Sequence, residues 1–467
     1  MFFMPRKITE KTFFQYLKCP SWVYYDATQS EPVRDALLLR LMDDGLIFEK
    51  EYEIIRDRPD VVEVMAEDPE EAFRQTVTFM REGRETIYRA TLVDGHWVGT
   101  PDFLARVEGH STFGSYYYVA ADMKRTREVR DDYKFQGCFY AELLERIQGH
   151  KPVQGYVVTP EKKTMSYLIE EFEKEYKLTL QEIERIVAGE KPAHFLTSGC
   201  KQSPWFSTCR KDSESCNDLS ILNRIWTEEV NALSRADITN VDAFAALSMK
   251  DIERRRPNIT HSRLEMLHKQ AVALTQKQHI ILESPIFPEA KTELYFDIES
   301  DPLRDLDFLF GVLEVKRGRA KYHSFLASKP EDEGKMWHEF CDFMQGFLDV
   351  PVYHYGWYEA DVVQRLGAKY GISELLRESF EHNFIDLLSM IRPSVIFPLS
   401  FYSLKDLAAY AGYKWHGEEP SGVNAVLWFE VWLKMQDQTY LDRILTYNED
   451  DVRATWTLKK WVEKNAV

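Results

Sequence analysis

The segment TELYFDIES, residues 292–300, decides the fold of the C-terminal part of the chain. Its aromatic and β-branched residues are typical of a strand, and the apolar LYF run predicts a central position in a sheet. Asp297 and Glu299 are two residues apart, so their side chains point to the same face of that strand. Burying two carboxylates side by side is costly unless they are paired or bind a metal ion. The segment therefore predicts two buried carboxylates that are paired or bind a metal ion, and a surface edge strand is the alternative.

The sequence around this strand predicts an α/β domain over residues 286–467. A meander of strands followed by strand–helix alternation is typical of a mixed sheet with helices. The predicted elements are the strands FLFGVLEV (308–315), AKYHSFLA (320–327) and DVPVYHYG (349–356), the helix DEGKMWHEFCDFMQGFL (332–348), and a helix that begins near Tyr358.

Two further motifs follow the D-x-E pair in order. Glu359 follows an aromatic residue after a strand, and Asp361 is a competing candidate two residues later. In YNEDDVRATWTLKKWV, Tyr447 and Asp451 are four residues apart and share one helical face. Together the three motifs resemble the DEDD-type 3′–5′ exonucleases of the ribonuclease-H-like fold, whose second motif carries Asp where Glu359 stands.

This resemblance implies a two-metal hydrolytic site. Asp297, Glu299, Glu359 and Asp451 would hold two Mg²⁺ or Mn²⁺ ions, of which one activates water and the other stabilises the leaving oxygen. Tyr447 would orient the attacking water. Because Glu359 is longer than Asp by one methylene, an inactive relative that is retained for binding is the alternative.

Residues 1–218 predict a second mixed sheet with helices. HWVGTPDFLARVEG (96–109) and SYYYVAADMKRT (115–126) have the composition of paired strands. A helical pattern runs over residues 130–147, and VQGYVVTP (153–160) returns to a strand pattern.

Five residues of this region resemble the RecB-type PD-(D/E)XK nucleases, which have a restriction-endonuclease-like fold. Asp102 precedes the D-x-K motif of Asp122 and Lys124, and Gln136 and Tyr140 follow as Q-x-x-x-Y on one helical face. The resemblance implies that Asp102 and Asp122 hold one or two metal ions and that Lys124 positions water or offsets charge. Gln136 and Tyr140 would face the DNA strand or brace the site.

The family usually has a further metal ligand, a His, on the preceding helix. The matching stretch is GLIFEKEYE (45–53), which has Phe48 at that position. The neighbouring Glu49 is the candidate replacement because Mg²⁺ prefers oxygen ligands. An exposed helix residue without a metal is the alternative.

The six cysteines are too few for a disulfide framework in a chain of 467 residues. Cys138 and Cys341 fall within helical patterns and are predicted core residues. The other four resemble the cysteines of the cluster-binding, CRISPR-associated-like branch of the RecB-type family, which hold a [4Fe–4S] cluster. Ser203 stands where that branch has a thiolate, so a zinc site or no metal are the alternatives. The proposed ligand set is Cys19, Cys200, Cys209 and Cys216.

Residues 219–285 read as a helical connector between the two regions. ALSRADITNVDAFAALS (232–248) faintly resembles a helix-hairpin-helix, with Ala236-Asp237-Ile238 in place of the usual Gly. A packing linker is the alternative.

Charge at first argues against a nucleic-acid partner, because 59 Lys and Arg against 76 Asp and Glu give a formal net charge of −17. Part of this excess belongs to the proposed metal ligands, and Trp205 and Trp415 are candidates for stacking on bases. We therefore expect a narrow basic track on an acidic body, with salt-sensitive DNA affinity. The track is predicted at Lys124, Arg125, Arg127 and Arg130.

Together these patterns predict a metal-dependent DNA nuclease with two nuclease domains, acting on single strands or ends in repair, recombination or defence. There is no P-loop motif, so a helicase partner is expected to supply translocation. Alternatives are a nucleic-acid-binding adaptor of a helicase complex with inactive sites, and a C-terminal domain that acts on RNA. The start MFFMPRKITE has no signal-peptide pattern, and no stretch predicts a membrane span, so we expect a cytoplasmic protein.

Overall fold

The computed structural model describes residues 7–29, 60–124, 128–159, 163–193, 195–301, 304–417 and 422–466. The chain divides into two compact units, Met1–Ser215 and Cys216–Val467. Phe48 and Glu49 lie outside the described residues, so the proposed Glu49 ligand remains a prediction. No helix in the described ranges has the length and apolar character needed to cross a membrane.

The first unit is a mixed α/β assembly. Its strands are β1 (Ile8–Thr9), β2 (Val61–Glu63), β3 (Thr86–Tyr88), β4 (Leu92–Asp94), β5 (Trp97–Gly99), β6 (Phe103–Ser111), β7 (Gly114–Met123), β8 (Gln154–Val158) and β9 (Thr164–Leu168). Its helices are α1 (Glu10–Lys18), α2 (Pro20–Thr28), α3 (Pro69–Arg81), α4 (Asp131–Gln148), α5 (Glu173–Val187) and α6 (Phe206–Ser215).

Six strands of this unit form one sheet in the order β2-β3-β6-β7-β8-β9, with parallel pairs β2/β3 and β7/β8. The predicted pairing of the two long strands is present as β6 against β7. Helix α4 contributes Phe139, Leu143 and Leu144 to a core that also contains Ile87 and Leu104 of the sheet. The helix predicted over residues 130–147 is therefore held against the sheet by its apolar face.

The stretch predicted as one strand over residues 96–109 is two strands in two sheets. β5 joins β1 and β4 in a separate three-stranded sheet, and β6 begins only at Phe103. The break occurs at Pro101, which has no N–H for a ladder. On either side of it, the N–H groups of Thr100 and Asp102 donate to the carboxylates of Glu10 and Asp122. Asp102 therefore precedes its strand.

The second unit contains the connector and the C-terminal sheet. Its strands are β10 (Ile280–Ile281), β11 (Thr292–Asp301), β12 (Leu306–Lys316), β13 (Arg319–Leu326), β14 (Val352–His354), β15 (Phe384–Asp386) and β16 (Val395–Ile396). Its helices are α7 (Thr227–Arg235), α8 (Val241–Ala246), α9 (Met249–Arg254), α10 (His261–Gln276), α11 (Glu333–Met344), α12 (Tyr358–Tyr370), α13 (Glu374–Asn383), α14 (Leu387–Ser394), α15 (Leu404–Tyr410), α16 (Gly422–Met435) and α17 (Gln438–Asn465).

The predicted mixed α/β architecture of this unit is confirmed. Its main sheet has the order β13-β12-β11-β14-β15, antiparallel from β13 to β11 and parallel from β11 to β15. In the connector, Asp237 adopts the left-handed conformation (φ 56°) in the turn between α7 and α8. Asp tolerates this conformation better than most residues do, which explains how the turn forms without the Gly of the helix-hairpin-helix pattern.

The central strand β11 separates two apolar layers. Leu294, Phe296 and Ile298 enter the core beneath α11 and α12, whereas Tyr295 packs with Val452 of α17 on the other face. Because strand side chains alternate, Asp297 and Glu299 also point toward α17. This alternation decides where the candidate site lies.

Candidate metal centre and active site

β11 and α17 bring three predicted ligands together. Carboxylate oxygens of Asp297, Glu299 and Asp451 all lie within 4.8 Å of one another. Glu299 and Asp451 are buried, and Asp297 is half-buried. Hard divalent cations prefer oxygen ligands of this kind, so the residues fit Mg²⁺ or Mn²⁺.

Electrostatics in the metal-free site are unfavourable. Burial raises the pKa of Asp297 and of Glu299 well above the usual range, and the negative charge of Asp451 raises both further. Burial likewise raises the pKa of Asp451, to about 6. Three like charges, two of them buried and one half-buried, repel one another, and a bound divalent cation would offset that repulsion.

Glu359 lies at the start of α12, close enough for its charge to raise the pKa of Asp297, whose largest shift comes from burial. Glu359 does not belong to the group of three carboxylates that lie within 4.8 Å of one another. Its buried Oε2 has no hydrogen-bond partner and lies 3.5 Å from Nδ1 of His354. An orphaned carboxylate oxygen at the edge of the site fits a metal ligand. Asp361, the competing candidate, is exposed.

Tyr447 and Lys405 complete the polar lining. Tyr447 is buried on α17, one helical turn before Asp451, and its hydroxyl interacts with that carboxylate. Nζ of Lys405, on α15, lies 5.1 Å from the centre of the Tyr447 ring. Burial lowers the pKa of Lys405, and the charges of Asp451 and Glu299 oppose this. None of the sequence motifs includes this lysine.

Asn448 joins the two β11 carboxylates and was also missed. Its Nδ2 donates to Asp297 Oδ2 at 2.8 Å and lies 3.4 Å from Glu299 Oε1. The Tyr322 hydroxyl donates to Asn448 Oδ1 at 2.7 Å, which fixes the orientation of the amide. Gly311, opposite Asp297 on β12, leaves room for it, because a Cβ there would lie 1.7 Å from Asn448 Oδ1.

The adjacent residues Asp450 and Asp451 have different roles. Asp450 accepts from the Tyr413 hydroxyl at 2.7 Å and from the His416 N–H at 2.7 Å, so it anchors the segment after α15. Trp415 lies in the same segment, between Tyr413 and His416, and its Nε1 donates to Asp451 Oδ1 at 2.7 Å. This indole therefore orients a carboxylate of the site. Of these two aspartates, only Asp451 belongs to the group of three carboxylates that could hold a metal ion.

The expectation that Trp205 stacks on bases is wrong. This side chain is buried in the first unit, and its Nε1 donates to Asp26 Oδ1 at 2.7 Å. Tyr25 packs against its ring with centroids 5.5 Å apart. A ring enclosed by the core has no face available to a base.

The first unit gathers its predicted residues around Asp122. The Asp122 carboxylate accepts from the Asp102 N–H at 3.1 Å and pairs with Lys124 Nζ at 3.2 Å. Asp102 Oδ2 accepts from the Met123 N–H at 2.7 Å. Burial lowers the pKa of Lys124, but the charges of Asp122 and Asp102 outweigh this effect and raise it above the usual value. Lys124 is therefore held as a cation beside both acids.

Three further groups border this cluster. Gln136 Nε2 donates to the Tyr140 hydroxyl at 2.9 Å, and that hydroxyl lies 3.5 Å from Asp122 Oδ2. Glu10 of α1 was missed by the sequence analysis. Burial raises the pKa of Glu10, and the charge of Asp122 contributes to the same shift. Glu10 is thus a buried acid near the predicted site, and its two carboxylate oxygens accept from Thr100.

The predicted basic track is only partly described. Arg125 and Arg127 lie outside the described residues. Lys124 pairs with Asp122, and Arg130 pairs with Asp132 at 2.7 Å. The two described members are therefore partly neutralised by neighbouring carboxylates.

Three of the four predicted cysteine ligands lie together in the first unit. Cys19, Cys200 and Cys209 are buried, and the sulfur atoms of Cys19 and Cys209 are 3.8 Å apart. The Cys200 thiol lowers the pKa of Cys19, but the contact with Cys209 and burial raise it to about 12. Cys216 is exposed and belongs to the second unit. Ser203 Oγ accepts from the Trp205 N–H and has a structural role.

Comparison with known families bears on the second unit. Residues 294–463 match the model of the RNase_H superfamily, which spans β11 through most of α17. The C-terminal part of the chain is therefore an RNase H-like domain, a domain type associated with metal-dependent nuclease activity. A search of curated proteins found no match to the chain.

Proposed function

We propose that the C-terminal domain is a metal-dependent 3′–5′ exonuclease that acts on single strands or ends of DNA. The observation that carries this proposal is the group of three carboxylates within 4.8 Å on β11 and α17, inside the RNase H-like domain. Two divalent cations in such a site activate water and stabilise the leaving oxygen. Asp297, Glu299 and Asp451 would hold them, with Glu359 as the fourth ligand.

The remaining residues of the site act on the substrate and on the ligands. The Tyr447 hydroxyl, beside Asp451, would hold the attacking water in line. Lys405 would offset the charge of the phosphate, because its charge interacts with those of Asp451 and Glu299. Trp357 is exposed next to the N-terminus of α12 and offers a surface for the terminal base.

The test uses single-stranded DNA and RNA labelled at the 5′ end, with Mn²⁺ or Mg²⁺. We expect a ladder that shortens from the 3′ end of DNA, abolished by EDTA and by Asp297→Ala. A 3′-blocked strand serves as the polarity control. If the wild-type protein degrades neither DNA nor RNA, the exonuclease proposal fails and the binding-adaptor role remains. If it prefers RNA, the proposed DNA substrate is wrong.

We further infer a second nuclease site in the first unit, of the RecB-like PD-(D/E)XK type. Its support is the contact network that joins Asp102, Asp122, Lys124, Gln136 and Tyr140. In the same assay, Asp122→Ala and the Asp122→Ala/Asp297→Ala double variant assign the activity. We expect cleavage other than the 3′-end ladder to persist in Asp297→Ala and to be lost in the double variant. If Asp122→Ala yields every product that the wild type yields, the first unit has only a binding role.

We also propose that Cys19, Cys200, Cys209 and Cys216 bind a [4Fe–4S] cluster. Three buried thiols in one place fit a thiolate-bound metal. The 3.8 Å separation of two sulfurs also equals that of two thiolates on one tetrahedral zinc, which is about 3.8 Å. Zinc is therefore the alternative occupant.

Metal content distinguishes these occupants. Protein purified without oxygen is expected to be brown and to contain about four iron atoms per chain. Cys209→Ala should remove the iron, whereas Cys138→Ala should not, because Cys138 is buried on α4 with its sulfur near the Ile169 carbonyl. One zinc atom per chain would show that the site binds zinc and not an iron–sulfur cluster. Protein that contains no metal would refute both proposals.

A helicase partner and a cytoplasmic role in repair, recombination or defence complete the proposal. They rest on the nuclease assignment and on the lack of a P-loop motif in the sequence. The test is whether a helicase co-purifies with the tagged protein after nuclease treatment. A helicase that is retained binds the protein itself, whereas one that is lost was held through nucleic acid.

A further inference from the structure

The second unit contains a basic cavity that the proposed active site does not use. It has a volume of about 370 Å³, within the range of small-ligand sites. Helix α10, the segment before α7, the end of α14, and β16 with Tyr402 beyond it form its walls. The residues used below are Arg224, Trp226, Arg263, Gln270, Arg392 and Tyr402.

Three arginines make this cavity positive in an acidic protein. Arg263 is offset by Glu229, which accepts from its Nε at 2.7 Å and its Nη2 at 2.9 Å. Arg224 and Arg392 are exposed, and neither forms an ion pair with any described residue. The cavity therefore carries an excess of about two positive charges at its mouth, which favours an anionic ligand.

Two further groups indicate a ligand with a base as well as a phosphate. Trp226 is 62% exposed at the cavity, and an exposed indole face is suited to stacking on a base. Gln270 is 8% exposed, and its Oε1 is buried without a hydrogen-bond partner in the described structure. A buried carbonyl oxygen without a donor is costly, and rotation of the Gln270 side chain toward the cavity would let the N–H groups of a nucleobase satisfy it.

The cavity is also close to the carboxylate site along the chain. Tyr402 forms part of its wall and precedes Lys405, the cation near Asp451 and Glu299, by three residues. Their Cα atoms are therefore at most about 11 Å apart. The Tyr402 carbonyl accepts from the Tyr355 hydroxyl at 2.7 Å, four residues before Glu359. A strand bound at the metal site needs only a few nucleotides to reach the cavity.

We propose that this cavity binds one nucleotide of a single-stranded nucleic acid, a few nucleotides from the end being cut. The base stacks on Trp226 and donates to Gln270, and the phosphates contact Arg224 and Arg392. This inference rests on the proposed exonuclease function for its substrate. The shared ligand is a nucleotide unit, so DNA and RNA strands are separate arms of its test.

The test measures binding of labelled 12-nucleotide DNA and RNA, with Ca²⁺ in place of Mg²⁺, by anisotropy at several salt concentrations. Trp226→Ala is expected to weaken binding about tenfold, and Trp226→Phe to retain most of it. The Arg224→Gln/Arg392→Gln double variant should reduce the slope of log affinity against log salt by about two. Arg256→Gln is the matched control, since Arg256 is also exposed and left-handed in the connector but lies outside the cavity.

Cleavage kinetics separate this inference from the proposed function. The Trp226→Ala variant should show a raised KM on the 12-nucleotide strand and an unchanged kcat/KM on a dinucleotide, which is too short to span both sites. If wild-type protein binds the strand through the cavity but cuts nothing, the exonuclease proposal fails and the inference stands. If it cuts and the cavity variants bind and cleave the long strand like wild type, the inference is overturned.

Discussion

Asp451→Asn is expected to reduce metal-dependent cleavage from the 3′ end by about 1,000-fold or more. Asp451 lies in the group of three carboxylates, and loss of a metal ligand removes several kcal/mol of transition-state stabilisation, with each 1.36 kcal/mol worth about tenfold. The amide keeps an oxygen for the Trp415 indole, so the fold should be preserved. Rates on labelled single-stranded DNA at saturating Mn²⁺ give the result.

The same variant should make the metal-free protein more stable at high pH. Since burial raises the pKa of Asp451 to about 6, the carboxyl group favours folding most below about pH 4. That contribution is lost as the pH rises through 6. In EDTA at pH 8, Asp451→Asn should therefore exceed wild type by about 3 kcal/mol in the free energy of unfolding, and the gain should shrink as the pH falls. A gain that does not change with pH would contradict the buried charge.

Gly311→Ala should impair both stability and cleavage. Its Cβ would lie 1.7 Å from Asn448 Oδ1, so the amide that joins Asp297 and Glu299 must move. We expect a loss of about 1–3 kcal/mol in the free energy of unfolding from overpacking. Misplaced ligands should lower metal affinity and activity by about 10–100-fold. Thermal unfolding and Mn²⁺ titration measure the two effects.

Two comparisons make this prediction specific. Gly346→Ala is the matched control, because a Cβ there meets no atom within 4 Å, and the change should be within about 0.5 kcal/mol. In the Gly311→Ala background, Asn448→Ala should cost less stability than it does in wild type, since it removes the clash. Independent, additive effects would show that the two residues do not interact.

The parts of the site that the sequence predicted are those with local patterns. Asp297 and Glu299 share a face because strand side chains alternate, and Tyr447 and Asp451 share one because a helix repeats every 3.6 residues. The same reasoning predicted the central position of β11. These periodicities do not depend on which distant segment packs against them.

The missed residues depend on contacts between distant segments. Asn448 is fixed by Tyr322, 126 residues earlier, and by the absence of a side chain at Gly311. The contact between Trp415 and Asp451 joins residues 36 positions apart in the same way, and base stacking by Trp415 stays a prediction. Glu10 is part of a short helix pattern, and only the fold places it near Asp122. No local period encodes such pairs.

The break at Pro101 illustrates the same limit within the secondary structure. The composition of residues 96–109 predicts one strand, but the chain passes between two sheets at this point. The N–H groups on either side find carboxylates of Glu10 and Asp122 instead of a neighbouring strand. Tertiary hydrogen bonds therefore override a favourable strand composition.

The most direct test of the account is the position of Mn²⁺ in crystals of the protein soaked at a concentration that supports cleavage in solution. We expect an anomalous peak bounded by the carboxylates of Asp297, Glu299 and Asp451, absent in Asp451→Asn crystals. No peak at that position in the wild-type protein, with cleavage still observed in solution, would contradict it.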